Sequence, residues 1–180
     1  MNYCSNCGAT VTRCVPEGDT ALRDVCNQCG TIHYVNPKMV VGALAEWEGK
    51  ILLCRRAIEP RLGMWTLPAG FMEMAETTAD AALRETLEEA CARVELIELY
   101  TLVNVSHIGQ VHMFYRARLP EPVFAAGIES LEVALFDEAD IPWNEIAFRS
   151  ITLSLQQFFA DRRKGEYRFH TFDLAPRTGY

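Results

Sequence analysis

A chain of 180 residues with 49% hydrophobic content has material for one ordinary domain and a small appendage. Its net charge of −7 argues against a nucleic-acid duplex as main partner, since neutralising phosphates takes a basic surface. No apolar run reaches the roughly 18 residues of a membrane span, and the opening MNYCSNCGAT lacks the basic and apolar regions of a secretory signal.

The first segment, residues 1–37, is poor in apolar side chains and carries Cys4-x2-Cys7 and Cys26-x2-Cys29. That spacing lies within the zinc-ribbon range, and four thiolates complete a tetrahedral Zn²⁺ site. His33 and Cys14 are possible substitute ligands. Gly8 and Gly30 each follow a pair, where a positive φ is wanted to turn backbone N–H groups toward sulfur. A segment this short needs the metal for its folding free energy. Paired cysteines of this kind fit a reducing compartment, so the cytoplasm is the expected location.

From residue 38 to 180 the texture is that of a second domain. Val40–Glu46 and Ile51–Arg55 read as a hairpin turning at Trp47–Lys50. Pro60–Pro68 reads as a loop with a short extended piece at Trp65–Leu67. Thr77 or Thr78 caps a helix to about Ala92, with Ala79, Ala82, Leu83, Leu87 and Ala90 as its apolar stripe. Val94–Ser106, Gln110–Leu119 and Leu131–Phe136 read as strands, Arg149–Arg163 as a second helix, and Tyr167–Phe172 as a final edge strand. Strands and helices mixed in this way predict an α/β layered domain.

The first helix carries the chemistry. Glu85, Glu88 and Glu89 stand at i, i+3 and i+4, so their carboxylates project from nearly one face. Such a cluster repels itself unless a cation joins it, and carboxylate oxygens suit Mg²⁺ or Mn²⁺. Arg84 is placed to pair with Glu76 in the preceding turn, or with Glu88 one helical turn on.

The pattern Gly70, five residues, Glu76, seven residues, then Arg84-Glu85-x2-Glu88-Glu89 resembles the Nudix box of nucleoside-diphosphate-X hydrolases. Thr86 replaces the usual aliphatic residue, and Cys91-Ala92 the usual Gly-aliphatic pair. The resemblance implies a Nudix α/β/α sandwich with a mixed sheet, behind a small zinc ribbon. It implies Glu85, Glu88 and Glu89 as Mg²⁺ or Mn²⁺ ligands, Arg84 as a positioning residue, and a further carboxylate from Glu129 or Glu132, with Glu132 favoured. Gly70 would allow close backbone approach to metal or phosphate. Phe71 is read as a surface for stacking a base or flavin ring, and Trp65 as either such a surface or core. Relatives with an attached ribbon imply a homodimer.

Two ribbon-bearing groups are similar. NADH pyrophosphatases carry a Ser-Gln-Pro-Trp-Pro-Phe-Pro run after the box, which is absent here. The second group, which includes plant chloroplast enzymes acting on FAD and ADP-ribose, is similar also at Asn36–Gly42, Leu53–Arg56, Leu67–Gly70, Glu129–Glu132 and Phe169-His170. The proline found downstream of the box in typical ADP-ribose pyrophosphatases is absent at Ser106–Ile108. FAD, cut to FMN and AMP, is therefore the first expectation, with ADP-ribose and NADH as alternatives. An RNA-directed role such as cap removal, or a silent nucleotide sensor, is the alternative of a different class.

Overall fold

The structure is a computed structural model that describes residues 1–176; positions 177–180, the end of the expected second domain, lie outside it. The chain divides into two compact units, Met1–Asn36 and Pro37 onward. In the first, β1 (Val11–Cys14), β2 (Arg23–Cys26) and β3 (Ile32–His33) form an antiparallel sheet in that order. Among its residues only Cys4 and Cys26 are buried, so this unit has almost no apolar core.

The second unit is built on an eight-stranded mixed sheet. Strands β4 (Lys38–Trp47) and β5 (Lys50–Arg56) turn through Glu48 and Gly49, both at positive φ. They pair only beside that turn, at Glu46–Ile51 and Trp47–Lys50, and then part. The gap is filled by β6 (Trp65–Thr66) on β5 and β7 (Ala69–Phe71) on β4. Gly42 makes the insertion possible: a Cβ there would stand 2.3 Å from the Pro68 carbonyl oxygen. The expected long hairpin is thus a fork, and β7 brings Gly70 to its mouth.

Beyond β4 lie β9 (Gln110–Arg118), parallel to it, then antiparallel β8 (Glu95–Val105) and parallel β11 (His170–Asp173) at the edge. The opposite edge is β10 (Ser130–Phe136) on β5. The last strand begins later than Tyr167 because that ring is used for packing, against Phe158 at 5.4 Å and under the Arg116 guanidinium at 3.8 Å.

Strand alternation sends neighbouring residues to opposite faces. Ala43, Ala45, Leu52 and Cys54 pack on one face with Ala90 of α1 (Thr78–Ala90). Leu44, Ile51 and Leu53 pack on the other with Phe158 and Phe159 of α2 (Arg149–Lys164). Helices therefore cover both faces of a mixed sheet. Thr77 caps α1 through a reciprocal pair with Asp80, each side chain accepting from the other's backbone N–H at 3.1 Å.

The buried stripe of α1 differs from expectation. Ala81, Ala82, Thr86 and Ala90 face the sheet, whereas Leu83 and Leu87 are 39% and 45% exposed. Small side chains let the helix lie close enough for Glu85 and Glu89 to enter the fork. Thr86, the departure from the usual aliphatic residue, is buried with its hydroxyl satisfied by the Ala82 carbonyl at 2.7 Å. Cys91 ends the helix at φ 48°, ψ 27°, the left-handed conformation that glycine adopts without strain.

Candidate active site

Arg84 gathers the carboxylates. Its Nε and Nη2 grip both oxygens of Glu76, at 3.0 and 2.8 Å. Its Nη1 donates to Glu85 at 2.7 Å and Glu88 at 3.1 Å, and Nη2 also reaches the Phe71 carbonyl at 3.2 Å. The two partners anticipated for Arg84 are both used, with Glu85 added. The arginine beside it holds the Glu76 carboxyl down at about 2.

Glu85 and Glu89 are buried, whereas the Glu88 side chain is 58% exposed. Glu85 lies against Gly70, where a Cβ would come within 2.3 Å of both its carboxylate oxygens. The close approach that needs a glycine is therefore made by a side chain of the chain itself. Glu89 accepts a hydrogen bond from the Ala69 backbone N–H at 2.9 Å. Burial nevertheless pushes its carboxyl up to about 7, a rise that Glu85 and Glu129 reinforce and Ala69 and Arg56 oppose. Glu85 is also pushed up, first by burial. Buried, crowded carboxylates of this kind are what a divalent cation would relieve, and an all-oxygen donor set fits a hard ion. The acids line a wall of a cleft of about 2050 Å³, which also takes in Phe71, Arg56 and Phe148.

The segment before β10 completes that wall. Ala125 and Gly127 donate to the last carbonyls of α1, those of Ala90 and Glu89, at 2.9 and 3.0 Å. A Cβ on Gly127 would overlap the Glu88 carbonyl oxygen, so this approach is open to glycine alone. Glu129, two residues on, faces the cleft, and its charge raises both Glu85 and Glu89. Glu132 stands elsewhere. It shares its strand face with Ala134 and Phe136, which pack on the α2 side, and its carboxylate lies 3.7 Å from Arg55 Nη1. The expectation favouring Glu132 over Glu129 is thus not supported by position.

Of the two readings of Trp65, the ring takes the core one and is not a stacking surface. It is 7% exposed and meets Phe136 edge-on at 4.8 Å in the core, because β6 pairs with β5 and turns the ring inward. Phe71 remains half-exposed on the cleft wall, with Lys38 Nζ 5.2 Å from its ring centre.

In the other unit, the sulfurs of Cys4, Cys7, Cys26 and Cys29 lie within 4.8 Å of one another. Pairs approach to 3.7 Å (Cys4–Cys29) and 3.4 Å (Cys7–Cys26). Four sulfurs about 2.3 Å from a tetrahedral zinc stand about 3.8 Å apart, so the set fits that ion. Gly8 and Gly30 do take positive φ, but their N–H groups close the turns onto the Cys4 and Cys26 carbonyls. The N–H groups facing sulfur come from Asn6, Gln28 and Cys29. His33 Nε2 lies 3.3 Å from the Cys4 sulfur, as a partner of a ligand, and Cys14 is not in the cluster.

The NUDIX domain profile matches residues 36–151, and the profile of the Nudix N-terminal zinc ribbon matches residues 2–35. The chain belongs to the Nudix hydrolase family. A crystal structure of a Nudix hydrolase from Nitrosomonas europaea is 54% identical, superposes with a TM-score of 0.93, and covers 97% of this chain and 99% of its own. An ADP-ribose pyrophosphatase of Methanocaldococcus jannaschii is 41% identical over 56 residues, 31% of this chain and 33% of that protein. An NAD-capped RNA hydrolase of Photobacterium profundum is 30% identical over 141 residues, 77% of this chain and 50% of that protein. The chain thus spans half or less of the length of these two curated relatives. Among the described residues no helix is long and apolar enough to cross a membrane.

Proposed function

We propose that this Nudix protein hydrolyses the diphosphate bridge of a nucleoside diphosphate derivative, with Glu85, Glu88, Glu89 and Glu129 holding the divalent metal. The observation that carries the reading is Arg84, anchored on Glu76, which holds Glu85 and Glu88 on one wall of the cleft. Bound Mg²⁺ or Mn²⁺ would neutralise phosphate charge and make hydroxide available near neutral pH. The chain's own part is to hold the acids. Arg84 orients Glu85 through a charged hydrogen bond, the Ala69 N–H orients Glu89, and Gly70 leaves room for the Glu85 carboxylate. Glu88, the more exposed of the three, is held by Arg84 Nη1 at 3.1 Å.

FAD is the first substrate to test, on the strength of the sequence segments outside the box. ADP-ribose is the substrate named for the Methanocaldococcus relative and an NAD-capped RNA that of the Photobacterium relative, while NADH follows from the resemblance to NADH pyrophosphatases. All contain an adenosine 5′-phosphate half, and the cleft of about 2050 Å³ has room for a dinucleotide. Initial rates with FAD, ADP-ribose, NADH and an NAD-capped oligonucleotide, each with Mg²⁺ or Mn²⁺, test the reading. AMP and the complementary phosphorylated product are expected from FAD, ADP-ribose or NADH, or nicotinamide mononucleotide and a 5′-monophosphorylated RNA from the capped oligonucleotide; no turnover of any overturns it. The ribbon is read as a structural Zn²⁺ unit, its thiols suited to a reducing cytoplasm. The protein is read as a homodimer, which light scattering at micromolar concentration checks.

A further inference from the structure

Two adjacent arginines close β5, and the fold sends them to different faces. Arg55 shares a face with Ile51 and Leu53; its Nε donates to the Gly63 carbonyl at 2.9 Å and its Nη1 faces Glu132. Arg56 lines the cleft instead. Its backbone is pinned on both sides, the N–H donating to the Met64 carbonyl and the C=O accepting from Gly63, each at 2.9 Å. Its Nε donates to the Pro60 carbonyl at 2.9 Å, and its guanidinium carbon sits 5.3 Å from the centre of the Phe148 ring. Those contacts use Nε and one face of the guanidinium plane. Among the described residues the two Nη groups have no hydrogen-bond or carboxylate partner. The charge is nevertheless felt by Glu89.

A guanidinium anchored by its inner edge, with its outer fork open beside buried carboxylates, is unsuited to a plain structural ion pair. Had Arg56 been placed to neutralise the acids, a carboxylate would lie on its Nη groups, as three do around Arg84. Planar, two-pronged donors suit phosphate oxygens. We propose that Arg56 is a substrate-binding residue that grips the diphosphate in the same cleft as the metal-holding glutamates. This rests on the function proposed above. Arg55 has no such role, and so serves as an internal control of equal charge one residue away.

The test separates phosphate recognition from loop support. Binding of α,β-methylene-ADP and of adenosine, each with Mg²⁺, is measured by calorimetry on wild type, Arg56→Gln, Arg56→Lys and Arg55→Gln. Arg56→Gln is expected to weaken α,β-methylene-ADP about tenfold or more while adenosine changes less than about twofold. Arg55→Gln is expected to leave the ratio of the two affinities unchanged. An unchanged α,β-methylene-ADP affinity, an equal loss for both ligands, or no binding of α,β-methylene-ADP by wild type overturns the proposal. Should Arg56→Gln not fold, Arg56→Lys decides by the same criterion, since an ammonium keeps the charge but not the fork. If wild type binds α,β-methylene-ADP yet turns over no dinucleotide, the catalytic reading fails while the comparison still decides the role of Arg56.

Discussion

Gly70 and Glu85 occupy one another's only available space: a Cβ on the glycine would lie 2.3 Å from both oxygens of the carboxylate. The glycine sits on β7, hydrogen-bonded into the sheet opposite Val41, and cannot retreat. Gly70→Ala must therefore displace the Glu85 side chain and loosen its bond to Arg84. A displacement of about 1 Å at a reacting centre costs on the order of 100-fold. That loss is expected in kcat, measured at saturating metal, with a thermal midpoint within a few degrees of wild type.

Arg84 makes four separate polar attachments, to Glu76, Glu85, Glu88 and the Phe71 carbonyl. Lysine keeps the charge but not the fork, and reaches one or two of these groups at a time. Arg84→Lys is expected to lower kcat/KM about 10- to 100-fold, from one or two lost charged hydrogen bonds. Activity equal to wild type would show that the grip on the carboxylates is dispensable.

The buried Glu89 carboxyl, pushed up to about 7, ties stability to pH and to metal. A carboxyl with a raised folded-state pKa takes up protons more readily folded than unfolded. Its contribution is complete below the ordinary value of about 4.3 and is lost as pH rises through about 7. Without catalytic metal, stability should fall over that window by up to about 4 kcal/mol through Glu89. Millimolar Mg²⁺ should raise the thermal midpoint more at pH 8 than at pH 5.5, and Glu89→Gln should flatten the difference. Equal Mg²⁺ effects at both pH values would contradict the account.

Cys91 ends α1 in a left-handed conformation that costs a Cβ-bearing residue roughly 1–2 kcal/mol. Its side chain is exposed. Cys91→Gly removes that strain at some cost in unfolded-chain entropy, so a net gain of about 1 kcal/mol is expected, or about 2–4 °C in Tm. Differential scanning calorimetry reads this directly; a drop in Tm would mean that the thiol makes a contact worth more than the strain.

Legibility followed the range of the interactions. The Arg84 pairing was readable because Glu76, Glu85 and Glu88 all lie within one cap and two helical turns, where spacing alone decides proximity. The four zinc-ribbon cysteines were readable for a different reason, since two CxxC pairs at this spacing form a metal-binding motif although Cys4 and Cys29 lie 25 residues apart. The choice between Glu129 and Glu132 was not, because it turns on Gly127 closing over the end of a helix nearly forty residues earlier. Nor was the orientation of α1: Leu83 and Leu87 look like core by hydropathy, but the helix must bring Glu85 and Glu89 inward, and alanines let it do so. Trp65 read equally as surface or core, since only the β5–β6 pairing turns it inward. The same limit hid the separation of Arg55 from Arg56, which needs strand register to be known.

The proposed function requires the α1 carboxylates to hold the metal that acts on a diphosphate. Glu89→Gln preserves shape and the acceptor for the Ala69 N–H while removing the charge. Initial rates on the best substrate at saturating Mg²⁺ are predicted to fall at least about 100-fold, with the fold intact by circular dichroism, because several kcal/mol of metal-borne stabilisation is lost. Wild-type kcat in Glu89→Gln would show that the Glu89 charge holds no metal needed for turnover.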